Sequence, residues 1–236
     1  MRTDRGSTVV LFGLAACGAG GGSLEPGAGN DPGTGTHTLH LDGTARASAR
    51  QVNAHQPTDF ETEFTLGVSL DNHAVTTGAV TITSATGKIS LTVRSDDRWT
   101  GSAPSYDEVY LVDVVSGSDV IAGLRVDGPD IHVFLEPTPG APIDTARPLP
   151  IAWSRAELAE LAMLRTDASD PISIPDTGSY SLAAGTIRAD KAETLDHLLR
   201  LARTNRVTPA GTAAGSTWSV TVENQVNVRT MPQPPL

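Results

Sequence analysis

Residues able to do covalent or metal chemistry are few in this chain, and only one has neighbours that suit it. Cys17 is the sole cysteine. It stands at the end of Leu14-Ala15-Ala16-Cys17, directly after a short apolar run. The six histidines show no ligand spacing: His37 and His40 are three apart, which places them on opposite faces of a strand, and His55, His73, His132 and His197 have no Cys or carboxylate at a ligating interval. No metal site and no cofactor are expected. Asp96-Asp97, Asp107-Glu108 and the pair Asp127 and Asp130 fall in turn-like stretches without the Asp-x-Asp-x-Asp-Gly pattern of a calcium loop, and read as solvated turns. Serine nucleophiles need a strained elbow or a paired base, and no Gly-x-Ser-x-Gly occurs. No catalytic residues are assigned, and the chain is read as non-enzymatic.

The residues before Cys17 explain its setting. Arg2 and Arg5 make a positive start, interrupted by Asp4, and Thr8 to Leu14 is an apolar stretch of signal-peptide length, too short to span a bilayer. Together with Leu14-Ala15-Ala16-Cys17, this resembles the lipobox of bacterial lipoproteins. The resemblance implies a signal peptide at 1–16, with Leu14, Ala15 and Ala16 read by the signal peptidase and Cys17 lipidated. It also implies attachment to a membrane of the bacterial cell envelope. Gly rather than Asp at position 18 implies, by the same resemblance, the outer membrane. Residues 17–36 are built almost wholly of Gly, Ala, Ser, Pro, Thr, Asn and Asp, and predict a disordered tether with too little apolar surface to offset the entropy of ordering it.

Composition sets the remaining bounds. The chain has 236 residues and a formal net charge of -10, with 39% hydrophobic residues, 23 Gly and 16 Pro. Loss of the leader would leave 15 basic and 26 acidic side chains. A surface that acidic repels phosphate backbones, so nucleic acid is excluded as a partner. One cysteine permits no internal disulfide, and any exported core must hold by burial alone.

Downstream, the elements that would position a site are strands. Phe60, Thr62, Phe64, Leu66, Val68 and Leu70 alternate with Glu61, Glu63, Thr65, Gly67, Ser69 and Asp71, a period of two sustained over eleven residues. Ile89, Leu91 and Val93 repeat it, and Val80 to Thr83 predicts a shorter strand joined through Ser84-Ala85-Thr86-Gly87. Val109 to Val115, Val120 to Val126 and Ile131 to Leu135 follow, broken at Asp127-Gly128-Pro129. Six or seven strands in 37–136 predict a two-sheet sandwich. Trp99, Tyr106 and Tyr110 are assigned to core and rim, the alternative being an exposed platform for a sugar ring.

The Pro-rich stretch 137–142 predicts a boundary, with a second sandwich over 137–230 and a trailing tail at 231–236. Leu149, Ile151 and Trp153 share a strand face. A buried Trp in an early strand, together with Asp176-Thr177-Gly178-Ser179-Tyr180, resembles immunoglobulin-like and fibronectin-like modules. That resemblance implies a tyrosine corner in which the Tyr180 hydroxyl bonds back to the backbone. Residues 156–165 and 191–203 have helix-forming composition, but strands are preferred for Leu161 to Thr166 and Leu198 to Val207. Trp218, Val220 and Val222 predict a strand, Asn224-Gln225 a turn, and Val226, Val228 and Thr230 a returning strand. The expected protein is therefore all-β: one or two immunoglobulin-like antiparallel sandwiches behind a disordered tether. It would be anchored in the envelope through Cys17 and would meet a protein or glycan partner there.

Overall fold

A computed structural model describes residues 24–167, 169–190 and 192–232; the lipobox residues Leu14, Ala15, Ala16 and Cys17 lie outside that range. Its strands, in chain order, are β1 Thr34–Gly35, β2 Leu39–Ala49, β3 Phe60–Leu70, β4 His73–Ala74, β5 Ala79–Ser84, β6 Gly87–Ser90, β7 Thr92–Val93, β8 Trp99–Ala103 and β9 Val109–Ser116. They continue as β10 Asp119–Asp127, β11 Phe134–Glu136, β12 Ala141–Ile143, β13 Leu149–Trp153, β14 Leu161–Thr166, β15 Ser169–Ile174, β16 Ser179–Leu182, β17 Leu195–Val207 and β18 Thr217–Thr230. The one described helical piece is a short 3-10 turn at Pro57–Asp59. The fold is all-β.

Three sheets make two sandwiches. A ten-stranded sheet runs β15-β14-β17-β18-β2-β3-β8-β7, with β12 beside β18 and β4 beside β3. A five-stranded sheet, β1-β10-β9-β5-β6, supplies the other wall of one apolar core; a three-stranded sheet, β11-β13-β16, supplies the other wall of a second. The alternation predicted for β3 is observed: Phe60, Thr62, Phe64, Leu66 and Val68 are buried, while Glu61 and Glu63 face solvent. Each large apolar side chain so removed from water contributes about 1.5–3 kcal/mol.

The two sandwiches are not sequential domains. β17 and β18 run through both, so Val207, Trp218, Val220 and Val222 complete the first core, while Leu199, Leu201, Val226 and Val228 belong to the second. The predicted cut near 136 marks a passage between cores, but the first core closes only with residues from the chain's last strand. Most pairings are antiparallel, as expected, but β18 lies parallel to β2 (Thr217 opposite Asp42 through Glu223 opposite Ser48), and β12 lies parallel to β18.

Other local expectations change for physical reasons. Asn224-Gln225 does not turn the chain. β18 is one uninterrupted strand in which Trp218, Val220, Val222, Asn224, Val226 and Val228 all point inward; the parity never breaks, so Asn224 is an inward-facing amide. The strand predicted from Ile89 to Val93 changes sheet at Leu91, between β6 and β7. The strands preferred for Leu161 to Thr166 and Leu198 to Val207 are observed, over Leu161–Thr166 and Leu195–Val207, despite the helix-forming composition of 156–165 and 191–203. β17 pairs on one side with β14 and on the other with β18 over thirteen register positions, and that ladder outweighs local propensity. Asp190 accepts the N–H groups of Ala192 and Glu193 in a turn leading into β17.

The expected tether is corrected most. Residues 24–36, called the strap below, lie along the open edge of β10. Asp31 and Arg125 exchange backbone hydrogen bonds of 3.0 and 2.9 Å, and Thr34 and Gly35 pair with Ala122 and Ile121. Asn30 accepts from Asp127 N–H, Gly29 N–H donates to the Asp127 carboxylate, and Arg125 donates to the Glu25 carbonyl at 2.6 Å. Backbone bonding to a sheet edge and two nearly buried charged side chains stabilise a segment that has little apolar surface to bury. Its glycines have a steric use. A Cβ on Gly35 would stand 2.3 Å from the Gly211 carbonyl oxygen, and one on Gly211 would stand 2.1 Å from Gly35 N, so the strap crosses the 209–213 loop where only glycine fits on either side.

Candidate functional site

The two cores meet at a crossing, called the waist below, where residues 128–134 pass from the first to the second. Polar side chains are buried there between two apolar cores. Arg203, at an inward position of β17 in line with Leu199 and Leu201, has no exposed surface. Its guanidinium donates to both oxygens of Asp176, to the carbonyl and carboxylate of Asp130, and to the Glu157 carbonyl. Asp176 also accepts the Trp153 indole N–H at 3.0 Å and the Ala159 N–H at 2.7 Å. Burial raises the Asp176 carboxyl, but the hydrogen bonds and charge of Arg203, with the Ala159 and Trp153 donors, outweigh it and hold the group below the usual carboxylate range.

Around this ion pair, almost every residue of the crossing segment is held. Gly128 N–H donates to the Glu108 carbonyl, the Tyr106 hydroxyl donates to the Pro129 carbonyl, and Asn224 donates to the carbonyls of His132 and Ala54. The Ser154 hydroxyl accepts from Val133 N–H. Asn53, with φ +51°, accepts from Phe134 N–H and donates to the Phe134 carbonyl, standing in for a strand neighbour. The crossing contains no free hinge, and the sandwiches form one body.

His132 completes the cluster without being reactive. Its Nε2 lies 3.0 Å from the Leu201 carbonyl and must carry the proton, while the buried Nδ1 has no partner. Burial, reinforced by the Arg203 charge and opposed by the Leu201 hydrogen bond, pushes its pKa down to about 3. Glu108, half-buried nearby, is raised by burial and then by Asp130, Asp127 and Glu157, with Arg203 opposing. Arg203 has every donor engaged and His132 has no exposed surface, so neither can meet a substrate. The waist ties segments together.

Residues singled out from the sequence fall elsewhere. Trp99, Tyr106 and Tyr110 are 5%, 1% and 0% exposed. Tyr110 packs edge-on against Phe64 with ring centres 5.3 Å apart, and Trp99 donates its indole N–H to the Val75 carbonyl. An exposed sugar-stacking platform on these three is thereby overturned. His37, His55 and His73 lie exposed and apart on the first sandwich. Among the described residues, no group of three or more His, Cys, Asp or Glu could hold a metal ion. Tyr180 pairs with Ile151 within the β13–β16 ladder, and among the described residues its hydroxyl forms no tyrosine corner; the aspartate of the same stretch, Asp176, makes the long-range tie instead. Trp153 is buried as expected.

Open concavities lie at the far pole of the second sandwich, among loops 143–147 and 183–189, beside Tyr106 and Asp107, and along Ser48 to Arg50. They are shallow; the largest, about 490 Å³, is walled by Thr145, Ala146, Gly185, Ile187 and Arg188 and contains no base paired with a nucleophile. Sequence reasoning missed Arg203, Asp176, Asp130 and Asn224. The available signal was parity: Arg203 and Asn224 sit at inward positions of otherwise apolar faces, where a charged or amide side chain must find buried partners.

No protein-family description matches the chain, and no curated protein does. Among solved structures it is similar to one titled "Crystal structure of DIP-gamma IG1+IG2", at 8% sequence identity and a TM-score of 0.24, covering 83% of this chain and 99% of that one. The strand registers above, rather than this likeness, define the fold.

Proposed function

We propose that this chain is a lipid-anchored bacterial envelope protein whose double sandwich serves as a non-enzymatic binding, adhesion or structural module. The observation that carries the reading is Leu14-Ala15-Ala16-Cys17, behind a charged and then apolar leader and ahead of a cysteine-free body. Two acyl chains on Cys17 would make attachment stable, and Gly18 favours the outer membrane. The body supports the module reading. It is a single piece with loops at two poles, the Arg203 guanidinium at its waist has every donor engaged, and its recesses are shallow. A protein or glycan partner would meet the polar loops or a sheet edge, where unpaired backbone groups accept an added strand.

The test has two arms. Cells fed an alkyne-bearing fatty acid should label the native chain, whereas Cys17→Ser should lose the label and accumulate unprocessed precursor. A variant that still labels and partitions with membranes refutes the anchor. The purified chain from Leu24 onward should show no turnover of ester, glycoside or peptide substrates while retaining an envelope component in pull-downs. Turnover abolished by substituting a pole-loop residue refutes the non-enzymatic reading.

A further inference from the structure

The strap changes where a lipid on Cys17 would hold the body, and this inference rests on the anchoring reading above. β2 begins at Leu39, at the pole of the first sandwich that also carries the Asp119 turn and the 209–216 loop. A free tether would leave from that pole. The strap instead doubles back along β10, from Gly35 opposite Ile121 to Asp31 opposite Arg125, and delivers Leu24 to the waist. There Leu24 and Pro26 line a recess with Pro57, Ala85, Tyr106 and Asp107. A Cβ on Gly27 would lie 3.6 Å from the Glu157 carboxylate of the second sandwich.

Covalent reach then sets the height. Cys17 and Leu24 are seven residues apart, which spans at most about 25 Å, whereas the 22 residues from Cys17 to Leu39 would span up to about 75 Å. We infer that the docked strap makes this a waist-anchored protein. Its partner surface is the bilayer itself, which the side bearing Ala85 and Asp107 faces within one short leash length, while the two loop-bearing poles are held at similar heights to either side. Asp107, Glu108 and Glu157 beside the exit repel anionic headgroups, so the leash and not adsorption sets the distance.

The experiment couples a maleimide lipid to Cys17 of the mature chain, residues 17–236, and inserts it into phosphatidylethanolamine/phosphatidylglycerol vesicles carrying an acceptor dye on the headgroups. Chemical coupling lets orientation be read whether or not cells acylate Cys17, so the two failures stay separate. A donor is attached through an azide-bearing amino acid placed at Ala85 by the strap exit, at Ser118 on the first pole, or at Ala146 on the second; all three are exposed. Energy transfer should be strongest from position 85 and weaker from both poles. Inserting twenty Gly/Ser residues between Ser23 and Leu24, which leaves the strap sequence intact, should erase the difference. Strongest transfer from position 118, or equal transfer from all three in the uninserted chain, overturns the inference.

Discussion

Arg203→Met is the most direct trial of the waist. The substitution keeps the stem of the side chain and removes a guanidinium that has no exposed surface and that serves Asp130, Glu157 and Asp176 together. Asp176, whose side chain is 2% exposed, would keep only its Trp153 and Ala159 donors, and the Asp130 and Glu157 carbonyls would lose theirs. Breaking a buried pair from one side costs about 3–5 kcal/mol. With a urea slope of about 2–3 kcal/mol/M for a chain of this size, the midpoint should fall by about 1.5 M. Circular dichroism and tryptophan fluorescence should move together, because Trp153 belongs to one core, Trp218 to the other, and both respond to one transition. The double variant Arg203→Met/Asp176→Leu should recover a large part of the loss, since an apolar pair can replace a buried ion pair at little cost. A single-variant loss below about 1 kcal/mol, or a double variant no better than the single, would refute the assignment of Arg203 as the tie between segments.

Other outcomes follow from the same geometry. His132 is neutral when folded, with a pKa of about 3 against 6.5 when exposed, so its contribution is complete above about pH 6.5 and is lost as pH falls from there towards 3; by pH 5 the loss is about 2 kcal/mol. His132→Gln should flatten stability between pH 7 and 5 by that amount in urea titrations, and an unchanged slope would show that His132 is not the titrating group. A Cβ on Gly43 would stand 2.6 Å from the Trp218 ring, so Gly43→Ala should cost about 1–3 kcal/mol and shift Trp218 emission. A chain starting at His37 rather than Leu24 loses β1 and the strap's bonds to Arg125 and Asp127. It should melt several degrees lower, by differential scanning calorimetry, than one starting at Leu24.

Strands were legible wherever one face of a segment is apolar and the other polar, as in β3, because a period of two follows from the pleat itself. The composition of 191–203 favoured helix while the alternation over Leu198 to Val207 favoured strand, and the flanking partners β14 and β18, which local sequence does not contain, decide for strand. The same limit hid the parallel pairing of β18 with β2. Glycine in the strap was read as entropy alone, although Gly35 and Gly211 are required there for access, a use that becomes visible only when the two backbones are seen to cross. Asn224 suggested a turn by type, while its parity placed it inside. The waist stayed hidden because Arg203, Asp176 and Asp130 are far apart in the chain and each resembles an ordinary surface charge.

The sharing of β18 between the two cores bears on the order in which the chain can acquire structure. Asp42 and its partner Thr217 are 175 positions apart, so the first core, most of whose residues come early in the chain, lacks Trp218, Val220 and Val222 until the last strand arrives. Such non-local closure makes folding slow. The C-terminal strand is therefore the last piece of both cores, and the two sandwiches are completed together.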